Sequence, residues 1–127
     1  MDVTPLIRKG DKIIQSYAGG VFKVSGITYE HALLVTPEKA ALWDIGDIVD
    51  VSALGLNDFA ELTKQADEID VVLLGCGGVM AFLPPKLRAE LKSAGLSVDI
   101  MDTGAACRTY NVLMAEGRRV ACALLQA

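Results

Sequence analysis

The chain has 127 residues, 52% of them hydrophobic and 22% charged, with a formal net charge of −4. That length suits one domain spanning residues 1–127, and the apolar content excludes a disordered chain. The acidic balance, with a pI near 4.9 and a mean hydropathy of +0.38, argues against a nucleic-acid phosphate backbone as the partner.

The start, Met1-Asp2-Val3-Thr4-Pro5, lacks the charged opening, apolar stretch and small-residue cleavage site of a signal peptide, so an intracellular location is expected. Residues 13–17, 21–24, 27–31 and 33–36 are β-branched or aromatic runs, and Gly19-Gly20 and Ser25-Gly26 punctuate them as turns. This predicts a hairpin-rich β region that Pro37 ends. Residues 41–44 and 48–51 each predict one further short strand, with a turn at Gly46. Phe59, Leu62, Ala66 and Ile69 then share one helical stripe, and Asp58 with Glu61 resembles a capping box at its start.

From Ile69 onward strands and helices alternate. Val71-Val72-Leu73-Leu74 is apolar without alternation, as in a strand covered on both faces, and Gly75-Cys76-Gly77-Gly78 turns out of it. Pro84-Pro85 starts a helix with Leu87, Leu91 and Ala94 on one face and Gly95 at its end. Residues 97–101 predict a strand, Asp102-Thr103-Gly104 leads into a helix over 105–116 that Gly117 stops, and 120–125 predicts a closing strand. The fold class is therefore α/β, a mixed, mostly parallel sheet with an N-terminal antiparallel hairpin region. The longest uncharged run, residues 71–85, is too short for a bilayer and carries Gly75, Gly77, Gly78 and two prolines, so the chain is not expected to be transmembrane.

Charge is uneven. Asp44, Asp47, Asp50, Asp58, Glu61, Asp67, Glu68 and Asp70 face only Lys64 within that stretch, and the flanks are net basic. Such a run is either a solvated face or a docking face for a basic partner, because a patch of one sign steers encounter.

Cys76, Cys107 and Cys122 have neither C-x-x-C nor metal-ligand spacing, so reduced thiols are expected, with no disulfide and no metal. The turn Gly75-Cys76-Gly77-Gly78 follows a buried strand, where α/β folds offer backbone N–H groups to an anion, but it is not G-x-G-x-x-G and has no G-K-[ST]. Close packing of strand against loop is the other use for these glycines. Cys76 on a tight turn suggests a nucleophile only if a base is near, and His31 is the one histidine. A small buried thiol and a structural or surface histidine are the plainer identities. Cys107 lies in the first turn of a predicted helix, which lowers a thiol pKa when the thiol is exposed; Ala105 and Ala106 beside it point to tight packing instead. Asp99 and Asp102 flank a strand end, where Asp102 serves either a ligand, a helix cap or an ion pair.

The densest constellation runs from Met101 through Asp102-Thr103-Gly104-Ala105-Ala106-Cys107-Arg108-Thr109-Tyr110-Asn111-Val112 to Leu113. Ala106, Tyr110 and Leu113 share a stripe that predicts a buried Tyr110, while Arg108 and Asn111 point another way. With Glu116-Gly117-Arg118-Arg119-Val120-Ala121 behind it, and Tyr17, Gly19-Gly20, Leu33-Leu34-Val35-Thr36-Pro37 and Leu74-Gly75 ahead, the chain resembles the Mth938-like uncharacterised α/β family that includes mitochondrial NADH dehydrogenase (complex I) assembly factor 3. The resemblance covers nearly the whole chain. Arg108-Thr109-Tyr110-Asn111 is similar to the bacterial and mitochondrial branch; Tyr110-Asn111, Leu113 and Gly117 are also similar to a branch in archaea and vertebrate cytosol. Cys76 departs from the small or hydroxyl residue expected between the glycines.

That resemblance implies a three-layer α/β fold with a central mixed sheet, and no established enzyme activity or cofactor. It also implies, by analogy with the mitochondrial members, a role in assembly of respiratory complex I; some bacterial members are encoded beside protein-export membrane subunits. A cytoplasmic, bacterial protein is expected from the absence of a presequence. Two functions remain in view: a non-enzymatic accessory or assembly protein that binds another protein, including one at a membrane surface, and a small-ligand-binding domain or enzyme with its site at the strand ends. Both would draw on Gly75, Gly77, Gly78, Asp102, Thr103, Arg108 and Asn111. No catalytic set, metal or cofactor is predicted. Arg108, a cation near a helix start, calls for a compensating carboxylate, either Asp102 or an acidic group of the partner or ligand.

Overall fold

The computed structural model describes residues 10–127, and the Met1-Asp2-Val3-Thr4-Pro5 start lies outside the described residues. The first three strands, β1 (Ile14–Ser16), β2 (Phe22–Val24) and β3 (Ile27–Tyr29), form a small antiparallel sheet in chain order. Ser25 and Gly26 join β2 to β3 with φ of 46° and 87°, so that Val24 faces Ile27. Positive φ at both central residues matches the twist of a two-residue hairpin, and it explains the Ser-Gly pair.

Strands β4 (Leu33–Val35) and β5 (Ala40–Leu42) leave this sheet and join a larger one with β6 (Val71–Gly75), β7 (Val98–Met101) and β8 (Val120–Leu124), in the order β5-β4-β8-β6-β7. β6 runs parallel to both β7 and β8, while β4 is antiparallel to both β8 and β5. All central strands except β4 therefore point one way. The predicted hairpin region is divided: β4–β5 extends the central sheet, and β1–β3 covers it as a separate sheet.

Side chains alternate between two cores, as a strand period of two requires. Val72 and Leu74 of β6 and Ala121 and Ala123 of β8 face a cluster with Trp43, Phe59, Leu62, Leu87 and Leu91. Leu73, Val120, Cys122 and Leu124 face the other cluster, with Phe22, Val24, Ala106, Tyr110 and Met114. The first cluster is covered by α1 (Ala60–Thr63) and α2 (Pro85–Ser93), the second by α3 (Thr103–Ala115) and the small sheet. Three layers result. Tyr110 is wholly buried in the second core, as its stripe predicts.

Two predicted elements are replaced. Residues 48–51 do not form a strand; Asp50 accepts the Ser52 N–H at 2.9 Å and starts a 3-10 turn at Val51–Ala53. A short acidic side chain that bonds the backbone two residues on competes with a sheet ladder. The stripe Phe59, Leu62, Ala66 and Ile69 is not one helix but a 3-10 turn (Leu56–Phe59), the single turn α1 and another 3-10 turn (Ala66–Glu68). Asp58 caps Gly55 upstream, at 2.8 Å, rather than opening a helix with Glu61. Downstream, Thr63 Oγ1 and Gln65 Nε2 donate to the carbonyls of Ala60 and Glu61, and Asp67 and Glu68 would stand at the negative end of any continued helix.

Candidate functional site

The predicted site residues meet where β6 and β7 end and α3 begins. Gly75 closes β6 with no room for a side chain: a Cβ there would lie 3.0 Å from Leu124 Cδ2 and 3.0 Å from both Cα and Oγ1 of Thr103. Thr103, wholly buried, accepts the Gly77 N–H at 2.9 Å and donates to the Leu125 carbonyl at 2.7 Å. Its own N–H donates to the Gly77 carbonyl at 2.9 Å. One hydroxyl thus ties the β6 turn, the α3 start and the β8 end together. Gly78 is exposed on the loop that follows.

Asp102 is the N-cap of α3; its Oδ1 accepts the Ala105 N–H at 2.9 Å. This cap places a carboxylate at the helix start, and with the Thr103 N–H given to Gly77 it leaves the end poorly suited to an anion. Arg108 is exposed and forms no ion pair with Asp102; its Nη1 donates to the Tyr17 hydroxyl at 2.6 Å, with the guanidinium 5.9 Å from the Tyr17 ring centre. The expected pair is replaced because Asp102 is engaged by the backbone and Tyr17 reaches over the first turn. Gly104 permits that approach, since a Cβ there would lie 2.9 Å from Tyr17 Cε2.

Asn111 is not free to take a ligand. Its Oδ1 accepts the Ile14 N–H at 3.0 Å and its Nδ2 donates to the Ile14 carbonyl at 2.8 Å. At the adjacent position, Tyr110 donates its hydroxyl to the Lys12 carbonyl at 2.8 Å. The polar side of α3 therefore holds the strand β1. Burial raises the Tyr110 phenol pKa above its ordinary value, with Cys122 and Asp11 adding in the same direction.

The three cysteines are free and buried. Burial pushes the Cys107 thiol up to about 12, outweighing the opposite pull of Arg108, and raises Cys122 as well. Cys107 is thus a packed thiol rather than an activated one. Cys76 Sγ donates to the Val79 carbonyl at 3.4 Å and accepts the Ala81 N–H at 3.3 Å, so it pins the loop after β6. His31 contacts the Ala32 carbonyl through Nδ1 at 2.8 Å and packs edge-on against Tyr29. Among the described residues no group of three or more His, Cys, Asp or Glu side chains is arranged to hold a metal, and no helix is long and apolar enough to cross a membrane.

The loop pinned by Cys76 presents an apolar surface that the glycine and cysteine motifs do not signal. Val79 is 82% exposed, Phe82 80% and Met80 48%, three large apolar side chains within four residues. The signal was present as Val79-Met80-Ala81-Phe82, an apolar stretch between the glycine turn and Pro84-Pro85. A second feature is a cleft of about 530 Å³ beside the end of β5, whose lining includes Trp43, Asp44 and Asp47.

Residues 14–125 match the family described as "Protein of unknown function (DUF498/DUF598)". An uncharacterised protein of Rhodobacter capsulatus is 38% identical over 112 residues, covering 88% of this chain and 82% of that protein. NADH dehydrogenase (ubiquinone) 1 alpha subcomplex assembly factor 3 of Danio rerio is 34% identical over 113 residues, 89% of this chain; this chain spans 63% of that protein's length. Among solved structures, a Mth938-like domain from Bordetella pertussis superposes with a TM-score of 0.76 at 29% identity, covering 98% of this chain and 92% of that one. The chain belongs to the DUF498/DUF598 family and has the Mth938-like fold.

Proposed function

From that membership we propose that the chain is a non-enzymatic accessory protein that binds another protein during assembly of a membrane or respiratory complex. The relatives named as complex I assembly factor 3 support the assembly role. The observation that carries protein binding is the exposed loop Val79, Met80 and Phe82. Large apolar side chains clustered on a surface favour burial against a partner, and aromatic anchors carry much of the energy of such contacts. The loop is held in shape by Cys76 at one end and by Pro84-Pro85 at the other, so little order is lost on binding.

A small-ligand site at the strand ends has less support. Thr103, Asp102 and Asn111, the polar groups it would need, already have their partners within the fold. The proposed role includes a protein partner at a membrane surface and a cytoplasmic location.

The test is a Val79→Ser/Phe82→Ser double variant, introduced in a bacterial host that carries this chain and makes complex I. Both positions are solvent-exposed, so the variant should melt like the parent. Accumulation of incomplete complex I on native gels, with loss of co-purifying subunits, is the expected result. Normal assembly together with unchanged co-purification would overturn the proposal.

A further inference from the structure

The cleft beside the edge strand β5 has a composition of its own. Leu42, Trp43, Ile48 and Val49 line it together with the exposed Asp44 and Asp47, and among the described residues its lining contains no lysine or arginine. Trp43 is 2% exposed, whereas Leu42 is 54% and Val49 80% exposed. We propose that this cleft docks a basic amphipathic segment of a partner protein, apolar side chains against Leu42 and Val49 and cations on Asp44 and Asp47. The proposal rests on the protein-binding reading above and adds the chemistry of one partner segment.

The acids of this stretch are not alike. Asp50 and Asp58 are taken by the N–H groups of Ser52 and Gly55, Glu61 by Lys64 at 3.1 Å, and Asp70 by Arg119 at 2.8 Å. The Arg119 hydrogen bond holds the Asp70 carboxyl below its ordinary value. Asp44 and Asp47 have no hydrogen-bonding or ion-pair partner among the described residues. Two unpaired carboxylates beside apolar walls attract cations more strongly than the same groups in open water.

The occupant follows from that combination. An anionic lipid surface would meet like charge at Asp44 and Asp47, so the exposed Leu42 and Val49 fit a protein segment better than a bilayer. A helix with apolar residues on one face and lysines on the other satisfies both groups at once. The floor is already rigid: Trp43 Nε1 donates to the Asp58 carbonyl at 2.7 Å, and its ring packs edge-on against Phe59 at 5.5 Å.

Trp43 is the chain's one tryptophan, so its emission reports on its own cleft. The experiment titrates the full chain with a tryptophan-free synthetic helix of about 18 residues, leucines on one face and lysines on the other. A saturable, salt-sensitive change in emission is expected. Asp44→Asn/Asp47→Asn and, separately, Val49→Ser should each bind about ten-fold more weakly. Asp67→Asn/Glu68→Gln, which makes the same charge change at exposed acids outside the cleft, should bind like the parent. Absence of binding, equal weakening by the two double variants, equal binding of a peptide with glutamates in place of lysines, or binding to phosphatidylglycerol vesicles but not to the peptide would overturn the proposal. These outcomes are read on the isolated chain, whereas the assembly reading stands or falls on the Val79→Ser/Phe82→Ser host experiment, so the two failures are distinct.

Discussion

Asn111 holds Ile14 as a neighbouring strand would, accepting its N–H at 3.0 Å and donating to its carbonyl at 2.8 Å across 97 positions of sequence. Among the described residues β1 is an edge of the small sheet, and the Asn111 amide occupies bonding groups that an edge strand would otherwise leave open.

Asn111→Ala should therefore destabilise by about 1–3 kcal/mol, because two partly buried backbone groups lose their partner at once. Asn111→Asp should cost more, since a carboxylate cannot donate to the Ile14 carbonyl and repels it. Urea unfolding measures the difference, and amide exchange at Ile14 should accelerate in both variants. Next to it, Tyr110→Phe removes only the bond to Lys12 and should cost about 1 kcal/mol, while Tyr110→Ala empties core volume and should cost about 3–5 kcal/mol.

Thr103→Val keeps the shape of the side chain and deletes the hydroxyl that joins Gly77 to Leu125. Both backbone groups are then buried without that partner, for an expected loss of about 2–4 kcal/mol. Thr103→Ser retains the hydroxyl and loses only a methyl group, so it should cost about 1 kcal/mol. Chemical denaturation of the pair separates the hydrogen bonds from the packing. Equal destabilisation by Val and Ser would show that the hydroxyl bridge contributes little.

The thiols set a pH dependence at the alkaline end. Cys107 keeps its proton in the folded chain up to about 12, against an ordinary value of 9.0, and Cys122 is shifted the same way. Between those values the folded state binds more protons than the unfolded one, so stability falls as pH rises through the window and is unaffected below it. The slope is about 1.4 kcal/mol per pH unit for each thiol fully protonated when folded and ionised when unfolded. A Cys107→Ala/Cys122→Ala variant should show a flatter profile above pH 9 despite a lower plateau. At lower pH, a thiol reagent should modify the native chain slowly and the urea-unfolded chain at all three cysteines.

The second half of the fold was legible because each element there carries redundant signals. β6 is apolar on both faces, α2 opens on Pro84-Pro85, and α3 has Asp102 before it and Gly117 after it. Residues 43–69 are less legible because their buried positions, Trp43, Val51, Leu54, Phe59 and Leu62, are spaced as in a helix or strand, while Asp50, Asp58, Thr63 and Gln65 bond nearby backbone groups and break the stretch into single turns. In the candidate site, the side of α3 that carries Arg108 and Asn111 was readable from periodicity. Their partners were not: Tyr17 and Ile14 lie 91 and 97 residues away, and only packing of the small sheet on α3 brings them there. The exposed loop is not legible for a different reason: an apolar stretch looks the same in sequence whether the fold buries it or presents it.

Arg108 supplies the last prediction. A cation in the first turns of a helix is disfavoured by a few tenths to ~1 kcal/mol, and Tyr17 offsets this with its hydroxyl at 2.6 Å and its ring at 5.9 Å. Because Arg108 is exposed, removing it should change stability by less than about 1 kcal/mol. The hydroxyl uses one of the guanidinium donors and leaves the others facing solvent, where an acidic group of a partner can be bound in fork geometry. We therefore expect Arg108→Ala to melt close to the parent and to lose partner capture in the host. Arg108→Lys should recover only part of it, since an ammonium keeps the charge without the planar fork. Tyr17→Phe, which frees the guanidinium from its hydrogen bond but keeps the ring, should weaken capture without abolishing it. Full capture by the alanine variant, or its unfolding, would remove Arg108 from the partner surface and leave it as a support for Tyr17 alone.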